Sequence, residues 1–174
     1  PSNPVVGQVW YNTTTNVVKG SVGGGSWATG NNLNTGRYAL GGAGIQTAAL
    51  AFGGLAPPGR LTLTESYNGT NWTEVNDLNS ARNKLAGSGT QTAALAFGGD
   101  IPPVSALTEK WNGTNWTEVN DLNTARRTLA GAGTNTSALA FGGEYSGNPR
   151  TTITELWNGT NWTEVNDLNV AREK

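Results

Sequence analysis

Trp72-Thr73-Glu74-Val75-Asn76-Asp77-Leu78-Asn79 returns letter for letter as residues 116–123 and again as residues 162–169. The starts are 44 and 46 residues apart. Self-similarity at that period is the signature of a stack or ring of small equivalent units, each too small to bury its apolar face alone. It also sets a rule for everything else in the chain. A residue that recurs in every unit does the same job in each, whereas a catalytic residue is asymmetric in its site.

Around each copy the period extends further. Arg37-Tyr38-Ala39-Leu40, Arg82-Asn83-Lys84-Leu85 and Arg126-Arg127-Thr128-Leu129 open the units, and Phe52, Phe97 and Phe141 each follow the unit arginine by fifteen residues. Each Phe ends a short apolar run that stops at a glycine doublet, Gly53-Gly54, Gly98-Gly99 or Gly142-Gly143. After a stretch of changing sequence comes a Thr-Glu pair with Glu65, Glu109 or Glu155, then an aromatic residue and Asn-Gly. The apolar run reads as one strand, the Thr-Glu segment as the next, and the Trp motif as its return. Asn68-Gly69 and its copies predict a two-residue type I′ hairpin, which needs positive φ at both central positions. The segment from each Arg to its paired glycines is left to supply the fourth strand. No helical periodicity runs long enough to name a helix.

Four strands in about 45 residues, repeated, predict an all-β fold of propeller blades. Residues 37–81, 82–125 and 126–171 form three units, residues 1–36 an N-terminal hairpin or partial blade, and residues 172–174 the start of a further unit. Trp27, Leu33, Arg37 and Gly44 lie 45 residues before Trp72, Leu78, Arg82 and Gly89, so traces of the repeat reach upstream of the first unit. Propellers close with 4–8 blades. The ring is therefore expected to be incomplete within these residues, with its edges met by further units or by other copies.

The order of arginine, paired glycines, apolar strand ending in Gly-Gly, variable loop, Glu, aromatic, turn and Trp resembles the kelch repeat over roughly residues 37–169. Asn-Gly stands where many kelch repeats have Asp-Pro or Asp-Gly. The resemblance implies a kelch-type propeller and leaves function open, since such propellers serve as enzymes, adhesins and interaction modules. A second resemblance is short. Gly7-Gln8-Val9-Trp10-Tyr11-Asn12-Thr13-Thr14, followed by Lys19, is similar to a segment that recurs in bacteriophage tail-fibre and related virion proteins. It points to a virion or surface appendage, with an extracellular setting as the alternative.

Composition removes several function classes. The 174 residues include 21 Asn, 24 Thr and 25 Gly, a turn-rich β palette, with a net charge of −1 and no basic cluster for nucleic acid. No apolar run approaches the ~20 residues of a membrane helix. With no His and no Cys, the chain has no imidazole base, no Ser-His or Cys-His nucleophile and no His or Cys metal site. The copper oxidase chemistry found on kelch repeats is excluded with them. Carboxylates remain for acid–base work. Nine of the twelve fall in threefold sets, Glu65, Glu109, Glu155, then Glu74, Glu118, Glu164, then Asp77, Asp121, Asp167, and read as structural. No catalytic residue, cofactor or metal is expected.

Arg82 and Arg126 are expected to meet the third-strand Glu through a two-pronged guanidinium bond that holds the unit in register. Trp72, Trp116 and Trp162 are expected to be wedges between neighbouring sheets, with sugar platforms as the alternative. The Asn-x-Thr sequons at Asn68, Asn71, Asn112, Asn115, Asn158 and Asn161 are explained by turn formation. Specific function belongs where the units disagree. Residues 55–63, 100–107 and 144–153 connect the second and third strands with nine, eight and ten residues. They carry Arg60, Asp100, Glu144, Tyr145 and Arg150, the candidate binding residues, and are expected to gather on one rim. The resulting expectation is a non-enzymatic virion or fibre protein that recognises a host-surface glycan or protein, alongside other fibre subunits or copies of itself. The alternatives are a protein-interaction module outside a virion and, third, a glycan-acting enzyme.

Overall fold

The computed structural model describes residues 9–12, 17–20, 31–147 and 149–174. The chain divides into two compact units, residues 1–30 and 31–174. In the first, β1 (Val9–Asn12) and β2 (Val17–Gly20) form an antiparallel hairpin. The rest of the segment resembling tail-fibre proteins lies outside the described residues. The larger unit begins at Asn31 rather than Arg37, because residues 31–36 are bonded to the first repeat as described below.

The larger unit is all-β, with no helix among the described residues. Its first sheet joins β3 (Gly41–Ile45), β4 (Ala48–Phe52), β7 (Thr64–Tyr67) and β8 (Trp72–Val75) in that spatial order. A small hairpin, β5 (Leu55–Ala56) with β6 (Gly59–Arg60), decorates the loop between β4 and β7. The second sheet is β9 (Ala86–Thr90), β10 (Ala93–Phe97), β11 (Thr108–Trp111) and β12 (Trp116–Val119). The third is β13 (Ala130–Gly133), β14 (Ala138–Phe141), β15 (Thr154–Trp157) and β16 (Trp162–Val165). All pairings are antiparallel meanders in equivalent register, Phe52 opposite Thr64 as Phe97 is opposite Thr108 and Phe141 opposite Thr154. The sheets follow one another through their first strands, β3 beside β9 and β9 beside β13. This arrangement is consistent with consecutive propeller blades, and none of the sheets closes on itself.

Two local expectations are corrected. The first strand of each blade does not run from the arginine to the glycines; it starts four residues after the arginine and is built from the glycines themselves. The reason lies in the neighbouring blade: a Cβ on Gly87 would stand 2.5 Å from the Phe52 ring, and one on Gly131 would stand 2.5 Å from the Phe97 ring. The Asn-Gly turn is also different. Strand pairing ends at Tyr67 opposite Trp72, leaving a four-residue loop in which Asn68 Oδ1 accepts the N–H groups of Thr70 (3.0 Å) and Asn71 (2.9 Å). With the side chain closing the turn, positive φ is needed only at Gly69, where it is 93°.

The apolar core lies in the two seams between blades. Leu50, Phe52 and Leu78 of the first blade meet Leu85, Ala94, Ala96, Trp111 and Trp116 of the second. Leu95, Phe97 and Leu122 of the second meet Leu129, Ala138, Ala140, Trp157 and Trp162 of the third. Near the first strands a backbone relay crosses the seams. Lys84 N–H donates to Ala39 C=O (2.7 Å), Thr128 N–H to Lys84 C=O (2.8 Å) and Lys174 N–H to Thr128 C=O (3.0 Å).

Candidate functional site

The repeated charged residues form one buried clasp per blade. Arg82 Nη2 donates to Glu109 Oε1 at 3.0 Å, Arg126 Nη2 to Glu155 Oε1 at 2.9 Å, and Arg37 Nη1 to Glu65 Oε1 at 2.8 Å. The two-pronged pairing suggested by the sequence does not form. The guanidinium instead spreads over backbone: Arg82 also donates to the carbonyls of Ala96 (3.2 Å), Gly98 (3.1 Å) and Leu107 (2.5 Å), tying the second strand to the third. The freed carboxylate oxygen, Glu109 Oε2, takes the N–H and side-chain amide of Asn79, and Glu155 Oε2 takes those of Asn123. Asn34 N–H holds Glu65 Oε2 in the same way at 2.7 Å, which is why residues 31–36 belong with the first blade. Glu109 and Glu155 therefore fix the linker arriving from the blade before, and Glu65 fixes the segment that precedes the first blade. Burial lowers the pKa of Arg82 and Arg126, with Glu109 and Glu155 opposing it.

The glycine doublets seat the linker that leaves. Gly54 N–H donates to Arg82 C=O, Gly99 N–H to Arg126 C=O and Gly143 N–H to Arg172 C=O, at 2.7 to 2.9 Å. Gly53, Gly98 and Gly142 donate to the residue that precedes the third strand by one. At Gly98, φ is +66° and a Cβ would meet the Arg126 carbonyl oxygen at 2.6 Å, so no other residue fits there. Asp77, Asp121 and Asp167 accept the N–H of Thr64, Thr108 and Thr154, capping the third strands.

Trp116 and Trp162 are buried wedges. Trp116 packs edge-on against Phe52 of the preceding blade with centroids 5.0 Å apart, and its indole N–H donates to Thr64 Oγ1 at 3.1 Å. Trp162 repeats this with Phe97 and Thr108 Oγ1. Trp72 is half-buried and stacks on Tyr67 of its own blade. Neither of the two buried rings offers a face to a sugar.

The non-repeated residues come together on one rim. The residue after each glycine doublet pairs with the residue after each unit arginine: Leu55 with Tyr38, Asp100 with Asn83, Glu144 with Arg127. Across these positions runs a chain of ion pairs. Arg60 Nη2 lies 2.9 Å from Asp100 Oδ2, Arg127 Nη1 lies 3.3 Å from Asp100 Oδ1, and Arg127 Nε lies 2.7 Å from Glu144 Oε1. Arg150 pairs with Glu173 at 2.8 Å, and the Tyr145 hydroxyl lies 3.0 Å from Thr151 Oγ1. Burial works to raise the Asp100 pKa, but the bonds from Arg60 and Arg127 outweigh it and hold the carboxyl below its ordinary value. The bond to Glu144 raises Arg127.

Arg60, Asp100 and Glu144 thus lie in one network, joined by Arg127, which the sequence reading did not single out. Tyr38 was missed with it. It is 61 % exposed beside Leu55, Pro57 and Pro58, which line a shallow apolar cleft. Both occupy the position after the unit arginine, which reads Tyr, Asn and Arg in the three units, and that variation was the available signal. Among the described residues no group of three carboxylates is placed to hold a metal ion, and no helix is long and apolar enough to cross a membrane. No protein-family model matches the chain, and no curated protein matches it either.

Proposed function

We propose that the chain is a kelch-type propeller segment serving as a non-enzymatic structural component of a virion or fibre, with the non-repeated rim as its recognition surface for a host-surface glycan or protein. The observation that carries this reading is the division of labour between side chains. The threefold Asp and the buried threefold Glu are occupied in backbone caps and clasps, while the rim gathers residues that differ from unit to unit. On that rim Tyr38 with Pro57 and Pro58 supplies an exposed aromatic and a stiff apolar wall, a combination that suits stacking against a sugar ring or a peptide. Arg60, Asp100, Arg127 and Glu144 largely neutralise one another, so they act as a frame for the rim. The virion setting rests on the segment around residues 7–19 that resembles tail-fibre proteins.

The test has two arms. Mass spectrometry of purified particles from a phage carrying this gene is expected to find the chain in the particle, and its absence overturns the virion reading. Exchanging residues 55–63, 100–107 and 144–153 for unrelated loops is expected to abolish adsorption to host cells while the folded signal remains. Unchanged adsorption overturns the recognition role. Turnover of a glycan that is lost in Asp100→Asn or Glu144→Gln overturns the non-enzymatic reading.

A further inference from the structure

The seams between blades have a direction, and among the described residues one copy of each side is left unused. At a seam, the earlier blade contributes its Phe, the Leu two residues before it, the Leu of its outgoing linker and a third-strand Thr. The later blade contributes a Leu, two small second-strand residues, two aromatics and the glycine over which the Phe ring lies. On the third blade the earlier-type face is uncovered. Leu139 is 37 % exposed where its counterparts Leu50 and Leu95 are 2 % and 0 %, and Phe141 and Leu168 are half-buried where Phe52, Phe97, Leu78 and Leu122 are buried. Thr154 Oγ1, whose counterparts accept an indole N–H, lies 3.4 Å from the Thr152 carbonyl two residues earlier in its own blade.

The first blade presents the opposite half. Leu40, Ala49, Tyr67 and Trp72 are half-buried where Leu85, Ala94, Trp111 and Trp116 are buried. Gly42 is exposed with only the Leu50 carbonyl, at 3.4 Å, near a would-be Cβ, where Gly87 and Gly131 each meet a Phe ring.

We propose that the uncovered face of the third blade docks the first blade of a second copy of this chain, head to tail, with Trp72 seated against Phe141 and Gly42 lying over that ring. The occupant follows from continuity: at the same register, and with Tyr67 in the place of Trp111 and Trp157 as the one difference in residue type, the two halves reproduce a seam that the chain already makes twice. A docked blade has its indole N–H placed for Thr154 Oγ1, as Trp116 and Trp162 are placed for Thr64 and Thr108. The contact is heterologous, so a patch meets a different patch and two copies can close a ring. Two copies bring six of the described blades, within the 4–8 that propellers use.

Two segments must give way, one linker and residues 172–174. Leu33-Asn34 of the incoming copy, whose Asn34 N–H holds Glu65 Oε2, and Leu168-Asn169 of the receiving copy occupy equivalent places, so one of these two linkers is displaced. Residues 172–174 hold the place on the third blade that Arg37-Tyr38-Ala39 of the incoming blade requires, with Arg172 C=O accepting from Gly143 N–H and Lys174 N–H donating to Thr128 C=O. The incoming segment offers the same backbone groups, so the exchange preserves those bonds. The Arg172 side chain is exposed, and the exchange gives up the Arg150–Glu173 ion pair and the bond from Lys174 Nζ to Leu85 C=O.

The test uses two substitutions at exposed positions on opposite faces. Light scattering with size exclusion on the 174-residue chain is expected to show a dimer or longer head-to-tail chains. Leu139→Asp, which puts a charge on the third-blade face, and Gly42→Leu, which fills the space needed by Phe141, are each expected to give folded monomers by circular dichroism. Each variant keeps the face that the other lacks, so an equal mixture is expected to form a one-to-one complex with a single junction. A monomeric parent chain, an oligomer untouched by either substitution, or a mixture that stays monomeric overturns the proposal.

Discussion

The seams and the rim hold charge in opposite ways. At the seams and inside the blades the clasp Arg and Glu are sealed from water, identical in each unit, and bonded to one another and to backbone, with the Nε of Arg37, Arg82 and Arg126 buried without a partner. Along the rim the charges differ from blade to blade, keep partial access to water, and pair with one another in a chain from Arg60 to Glu144. A buried pair is intolerant because removing one partner strands the other in a medium that cannot solvate it. A partly exposed pair is tolerant because water replaces what is lost. The buried set recurs in every unit and the rim set does not, while the exposed Glu74, Glu118 and Glu164 recur as part of the Trp motif.

Removing a buried partner is the most severe way to test that difference. Glu109→Ala is expected to cost about 3–5 kcal/mol in urea unfolding, since it leaves the Arg82 guanidinium buried and also frees the Asn79 linker. Trp116→Ala is expected to cost a similar ~3–5 kcal/mol through the cavity left against Phe52. An unchanged melting temperature there contradicts the wedge and revives an exposed aromatic platform. Gly87→Ala and Gly42→Ala sharpen the comparison at one repeat position. The first forces a methyl into the Phe52 ring and the Gly42 carbonyl and is expected to cost about 1–3 kcal/mol of the chain's own stability, while the second, measured at concentrations where the chain is monomeric, is expected to be close to neutral. Equal costs contradict the seam geometry.

The rim is expected to respond weakly. Arg60→Ala should change stability by less than about 1 kcal/mol, because its side chain is 32 % exposed. Asp100 has a folded pKa below its unfolded value, so the stability it contributes is present above the ordinary carboxylate range and fades as pH falls through the folded value. Asp100→Asn is therefore expected to flatten the acid limb of a stability-against-pH curve, leaving the clasps of Glu65, Glu109 and Glu155 untouched. A larger loss from Arg60→Ala than from Glu109→Ala reverses the comparison.

What the sequence made legible follows the same division. The clasp was readable because Arg and Glu recur three times in fixed positions, and so were the three blades and the loops that differ. The glycine strand was not, because its composition is set by a Phe one blade away rather than by its own periodicity. The bond from Trp116 to Thr64 spans 52 residues and crosses a unit boundary, so no window of one repeat contains it. Tyr38 and Arg127 were hidden by their place beside an invariant arginine, inside a frame read as constant. The two-pronged clasp was expected because a carboxylate is the obvious partner of a guanidinium, whereas the fold offers three backbone carbonyls as well.

The backbone relay through Ala39, Lys84, Thr128 and Lys174 works like the teeth of a gear. At Ala39, Lys84 and Thr128 the φ angles are 53°, 55° and 53°, and the donor and acceptor are main-chain atoms, so the angular step from blade to blade does not depend on which side chain stands there. Alanine, lysine and threonine all make the bond, the β-branched threonine under more backbone strain than the others, while proline, having no N–H, strips a tooth. Because the spacing is kept by main-chain bonds beside the first strands, the connections of nine, eight and ten residues can lengthen or shorten without shifting the next blade.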